Sequence, residues 1–258
     1  MTVRELYEKL NERIPRELSC VWDNDGLMCC PDGRREVKRV LVALDATGAV
    51  CDRAVAEGYD AIVTHHPFIF KGIKTVDDEN AIAAKAIELI KAGVAVMSFH
   101  TRLDAVNGGV NDKLASLLGL KNVEVFYGEG LPMGRVGVLD EAAELFDFAR
   151  GVKKALNAPF VSVTDSGRKT ERVAVLGGSG KDFIGAAADM GADTYVSGEL
   201  GHHTMTDEPD VVIRPLNLIE AGHFYTEFPV CEVLRDMVAE IDAGIECKIM
   251  NSNPVKVV

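Results

Sequence analysis

Two adjacent histidines, His65 and His66, end an apolar, β-branched run and are stopped by Pro67 in the stretch VTHHPFIF, Val63 to Phe70. Two further histidines follow a similar pattern. His100 opens HTRLD with Asp104, and His223 opens HFYTE with Glu227, each a His-x-x-x-acid directly after an apolar run. Neutral imidazole and carboxylate are the ligands of Zn²⁺, Fe²⁺, Mn²⁺, Ni²⁺ or Co²⁺. Neither motif carries a metal alone; their joint placement at predicted strand ends does. His65, His66, Asp104, His223 and Glu227 are the best ligand candidates. They are too many for one tetrahedral ion with an open position, and with a bridging carboxylate they suit two divalent ions about 3.5–4 Å apart, as in two-metal hydrolytic sites.

Adjacent residues on a strand point to opposite faces. His65 and His66 therefore serve one ion only if the strand has ended and the backbone turns; otherwise each serves its own. His100 is either a ligand or a hydrogen-bonding residue behind one. Glu199 is a candidate general base or acceptor, and His203 a candidate for lining the site and moving protons. Arg102 is a candidate for binding an anionic substrate. Asp45 fits a helix cap. The glycine motif GGSGKD, Gly177 to Asp182, lacks the Walker spacing and reads as a tight turn.

The elements that must position these groups follow from the hydrophobic pattern. Thr2-Val3-Arg4-Glu5 is a capping box. Val3, Leu6, Tyr7, Leu10 and Ile14 recur at helical spacing, which predicts an opening helix ending before Pro15. Near-continuous apolar runs predict buried strands at Lys38 to Leu44, in YDAIVTHH and at Val94 to Phe99. Helices lie between them, with Gly58 and Gly93 as C-caps. Val123 to Gly134 is glycine-rich and reads as turns. Beyond it the pattern predicts a strand at Arg135 to Leu139, a helix at Glu141 to Leu156, strands at Arg172 to Leu176 and Thr194 to Glu199, a helix to Ile241 and a closing strand at Ile245 to Met250.

The segments from Arg39 to His66 and from Arg172 to Glu199 align without gaps, matching Arg39 with Arg172, Val40 with Val173, Gly58 with Gly191 and Asp60 with Asp193. The His-x-x-x-acid motifs extend the match, His100 opposite His223 and Asp104 opposite Glu227. The fold class is α/β (α+β): two topologically similar lobes from an internal duplication, 1–125 and 126–258, with the C-terminal part returning to the first. Ligands gather at the carboxyl ends of strands in such sheets, so a metal site in the cleft between the lobes is the natural expectation.

The 258 residues have a net charge of −12, which disfavours nucleic acid and anionic membranes as partners. We expect neither a secretion signal nor a membrane span. The six cysteines form no CxxC pair and read as reduced, structural thiols, consistent with a cytoplasmic protein.

The ordered set WDNDGL, THHPFIF, HTRLDAVNGGVND, GGSG, SGE followed by HH, and GHFYTE resembles the NIF-three-like dinuclear-metal family, known as GTP cyclohydrolase 1 type 2 homologues. The resemblance covers essentially the whole chain. It implies two interlocked lobes, a two-metal site with Glu227 as the bridging ligand, further site positions at His100 and His203, and a toroidal homo-hexamer. The chain departs from the family at Asp25, often apolar there, and at Arg102, often Asn. It also lacks the inserted middle domain of longer members. Two function classes follow. One is a metal-dependent hydrolase acting on a nucleotide or another phosphorylated small molecule, by purine ring opening or phosphoester hydrolysis. The other is a non-catalytic metal-binding, adaptor or delivery protein. In a third reading the metals only pin the lobes together.

Overall fold

The computed structural model describes residues 1–211 and 215–256. In chain order the elements begin with α1 (Val3–Arg13), β1 (Gly26–Cys29), β2 (Arg39–Ala43), α2 (Gly48–Ala56), β3 (Ala61–Thr64), α3 (Ala81–Ala92), β4 (Ala95–Ser98) and α4 (Thr101–Ala105). They continue with α5 (Val110–Leu117), β5 (Lys121–Gly128), β6 (Leu131–Ala143), α6 (Leu145–Ala155), β7 (Ser162–Thr164), β8 (Thr170–Ser179) and α7 (Ile184–Asp189). The last are β9 (Thr194–Glu199), α8 (His202–Val211), β10 (Asn217–Glu220), α9 (His223–Glu227), α10 (Val230–Ile241) and β11 (Glu246–Ile249). The chain divides into two units. One is Met1–Val106 with Val230–Lys256; the other spans Asn107–Pro229.

The first unit is built on a five-stranded sheet in the order β1-β4-β3-β2-β11. All neighbours are parallel except β1, which pairs antiparallel with β4. Its core joins Leu41, Val50, Tyr59, Ile62, Phe68, Leu89 and Val96. The capping box forms as expected: the Thr2 hydroxyl accepts from the Glu5 amide, and the Glu5 carboxylate accepts from the Thr2 amide at 2.8 Å. The second unit has a six-stranded sheet in the order β5-β6-β8-β9-β10-β7, parallel only through β8, β9 and β10. Its core joins Leu114, Leu145, Val152, Val173, Val175, Val196 and Ile219.

The repeat is visible in equivalent hydrogen bonds. Asp60 accepts from the amides of Lys38 and Arg39 where β2 begins, and Asp193 accepts from Glu171 and Arg172 where β8 is entered. Val40 pairs with Ala61 as Val173 pairs with Thr194. Gly58 and Gly191 both sit at positive φ, +68° and +76°, closing the helix before each second strand. That conformation is costly for any residue with a Cβ.

The structure corrects three expectations. The stretch from Val123 to Gly134 is not a set of turns but most of the β5–β6 hairpin. Only Glu129 and Gly130 turn, both at positive φ, as a two-residue hairpin loop requires. A Cβ on Gly128 would collide with the Phe183 ring and one on Gly134 with the Phe126 ring, so these glycines admit aromatic rings against the sheet. The strand β6 runs to Ala143, so α6 starts at Leu145 and not at Glu141. Lastly, the His-x-x-x-acid motifs are one residue out of register with the repeat. Phe99 bonds to Thr64 as Ala221 bonds to Ser197, and Asp104 to His100 as Thr226 to Gly222. The counterpart of His100 is therefore Gly222, and each is the N-cap of its short helix.

None of the six cysteines is joined in a disulfide. Burial, with Cys30 and Cys51 nearby, pushes the Cys29 thiol up to about 11, so it stays protonated and inert near neutral pH. Among the described residues no helix is long and apolar enough to cross a membrane.

Candidate functional site

In the first unit β3 ends at Thr64, one residue before the histidine pair. The Thr64 hydroxyl donates to the His66 carbonyl at 2.8 Å, and the His66 amide bonds to Leu44 at 2.9 Å. The backbone therefore turns, and both rings fall on one side with centroids 5.0 Å apart. His100, delivered by β4, brings its ring to 5.3 Å from His65 and 5.7 Å from His66. One ring nitrogen from each of the three lies within 4.8 Å of the others.

Each imidazole is anchored at Nδ1. His65 Nδ1 lies 3.0 Å from the Phe99 carbonyl, His66 Nδ1 2.7 Å from Asp45 Oδ1, and His100 Nδ1 2.9 Å from Asp23 Oδ1. A carbonyl or an ionised carboxylate only accepts. Nδ1 therefore carries a proton, and in the neutral imidazole Nε2 keeps its lone pair, as in metal-binding histidines backed by an acceptor. Asp104, buried on α4, completes the group: its Oδ1 faces His65 Nε2 at 3.7 Å. An imidazole lone pair and a carboxylate oxygen facing each other at this distance form a donor set that suits a cation.

Asp23 is the anchor that motif reading missed. It binds His100 Nδ1 and also accepts from the Thr101 amide and hydroxyl. Burial alone would raise its carboxyl; the bonds and charge from His100 and the bonds from Thr101 outweigh it and hold the group down to about 2. The signal available in the sequence was its place in WDNDGL, which also supplies Asp25. Asp45, read as a helix cap, instead orients His66; the α2 cap is Thr47.

In the second unit His223 and Glu227 stand one turn apart on α9, with His223 Nε2 3.0 Å from Glu227 Oε2. Glu199, at the end of β9, is exposed and places Oε2 3.3 Å from His223 Nδ1. The short helix rests directly on strand ends stripped of side chains. A Cβ on Gly178 would meet Glu227 Oε1 at 2.1 Å, and one on Gly198 would meet Gly178 O at 2.6 Å and His223 Cα at 2.8 Å. The GGSG and SGE motifs are thus a cradle for α9, and Gly177 and Gly178 lie within β8 and not in a tight turn before a helix.

The remaining candidates fare differently. His203 is exposed in the first turn of α8, and its ring neighbour is His202 at 5.6 Å. The expectation for Arg102 is corrected. Its side chain is wholly buried; Nε donates to Asp25 at 2.7 Å, a terminal nitrogen donates to Asn11 and to the Ile14 carbonyl, and the guanidinium lies over the Phe99 ring. It is a packing and ion-pair residue, out of reach of a substrate.

The chain is similar to several known proteins. A curated "GTP cyclohydrolase 1 type 2 homolog" of Nostoc sp. is 37% identical over 212 residues, 80% of each chain. Another of that name, from Clostridium perfringens, is 29% identical over 95% of each. The crystal structure of a Staphylococcus aureus hypothetical protein superposes with a TM-score of 0.88 at 29% identity, covering 100% of this chain and 99% of that one. A family model matches residues 1–255. The chain belongs to the Duf34/NIF3 (NGG1p interacting factor 3) family.

Proposed function

We propose that this protein is a metal-dependent hydrolase with a dinuclear centre, whose ligands are His65, His66 and Asp104 together with His223 and Glu227. The carrying observation is the convergence of three imidazoles, each anchored at Nδ1, with a buried carboxylate facing one of them. A solvated surface histidine needs no such anchoring. Two divalent ions, of the Zn, Fe, Mn, Ni or Co class, would supply Lewis acidity and an activated water. The resemblance supports Glu227 as the bridging carboxylate and a cytoplasmic homo-hexamer. Glu199 is the group proposed to hold or move a proton at His223 Nδ1, and His100 to orient from Asp23 or to bind directly. The relatives' name supports a purine nucleotide as substrate, and the ligand set supports a phosphoester equally.

Elemental analysis and turnover test the proposal together. Wild-type protein reconstituted with each metal is expected to retain about two equivalents and to hydrolyse GTP or a phosphomonoester in a metal-dependent manner. His66→Ala is expected to lose metal and turnover together. Asp45→Ala, which removes the carboxylate that anchors His66, is expected to weaken metal binding by about 10–100-fold. Stoichiometric metal without turnover of either substrate class would favour the non-catalytic reading.

A further inference from the structure

Three rings meet almost at right angles in the first unit. Trp22 is edge-on to His100, with centroids 6.2 Å apart at 73°, and to Phe70, at 6.3 Å and 82°. Phe70 is in turn edge-on to His100, at 6.1 Å and 85°. Trp22 is 57% exposed and Phe70 45%. Single exposed apolar residues are ordinary, but these two are held in place from beneath. Asp23, next to Trp22, is fixed by His100 and Thr101. Asn24 donates to the carbonyl of Ile69, next to Phe70, at 2.5 Å. Two loops are thus tied to each other and to the imidazole group, and each presents an aromatic ring beside its tie.

We propose that Trp22 and Phe70 form a binding surface for the planar aromatic ring of a small-molecule ligand, and that this surface sets the ring's substituents against the His65–His66–His100 group. The two rings are apolar, aromatic and continuous with His100. Asp23, Asp25 and Asp45 stand around the imidazoles, so without metal a bare anion is a poor occupant and a neutral ring a good one. Base–aromatic stacking tolerates any planar ring because every base has a π-face. Only the role of the substituents rests on the metal reading; ring binding does not.

Trp22 is the chain's sole tryptophan, so its fluorescence reads this surface alone. Protein stripped of metal by a chelator is titrated with guanosine, uridine and ribose 5-phosphate. The expected result is a saturable change with guanosine, a weaker one with uridine and none with ribose 5-phosphate. Phe70→Ala is expected to weaken guanosine binding by about 5- to 150-fold, with Phe70→Tyr retaining it. Trp22→Leu, followed by calorimetry, is expected to lose a similar factor. The proposal is overturned if neither nucleoside gives a saturable response, or if ribose 5-phosphate responds equally. It is also overturned if Trp22 emission changes on simple dilution together with the mass by light scattering, because a second copy then covers the rings. Metal uptake measured on the same wild-type sample is a separate readout: its failure removes the dinuclear reading and leaves ring binding standing.

Discussion

Arg102 and Asp25 are both charged, and the chain leaves them 0% and 3% exposed. Burying two ions is expensive, and what offsets the cost here is geometry. Arg102 Nε meets Asp25 Oδ2 at 2.7 Å, and the same oxygen accepts from the His100 amide at 3.1 Å. These are the two positions at which the resemblance implied a departure, and the structure pairs them, so that each buried charge is offset by the other. Removing either partner strands a buried charge, which costs about 3–5 kcal/mol, whereas replacing both by apolar groups costs far less. Arg102→Leu and Asp25→Val are each expected to destabilise by that amount in urea unfolding, and the double variant by clearly less than their sum. Strict additivity would show that the pair is not coupled. Nothing in the sequence around Asp25 and Arg102 reports their contact, because the partners are far apart in the chain and only the fold brings them together.

At the scale of elements, the short helix α9 depends on absent side chains. The atoms a Cβ on Gly198 would strike are largely backbone, so they cannot swing aside. Gly198→Ala is expected to displace α9, to cost about 1–3 kcal/mol as overpacking does, and to lower metal affinity measured by chelator competition. An unchanged affinity would show that α9 does not position a ligand. A second prediction concerns the strand starts. Burial raises the Asp60 carboxyl, but the Lys38 and Arg39 amides and the Arg35 guanidinium outweigh it and leave the group below its ordinary value of 3.8. A depressed folded-state value stabilises the fold above the unfolded value and is lost as pH falls through the folded one. Asp60→Asn is therefore expected to lower stability at neutral pH and to flatten its decline below about pH 4. A parallel acid limb in the variant would sink the assignment. The parallel strands were legible because strands buried on both faces are continuous apolar runs, as in β2, β3 and β4. The β5–β6 hairpin was not, because Gly128 and Gly134 look like turn residues until Phe183 and Phe126 are seen to fill the space. The histidine pair was legible from Pro67 and the β-branched run, and its anchors Asp23 and Asp45 were not, since they lie elsewhere in the chain.

At the scale of the whole molecule, the question is what holds the fold when the proposed ions are removed. Each unit has its own sheet and its own apolar cluster, and neither cluster includes a proposed ligand. The hydrogen bonds that start the strands, at Asp60 and Asp193, need no metal either. Metal should therefore act on stability by linkage, as any ligand of the folded state does, adding about 2.7 kcal/mol at a concentration a hundredfold above its dissociation constant. Chelation is expected to lower the melting temperature and leave a cooperative transition and an unchanged far-ultraviolet circular dichroism spectrum. The reading in which the metals merely pin the chain together expects the opposite, since a structural metal contributes its binding energy directly to folding. Calorimetry with and without chelator decides between them. A chelated protein that has lost its transition would assign the histidine and carboxylate groups to structure, and one that melts cooperatively at a lower temperature leaves them available for chemistry.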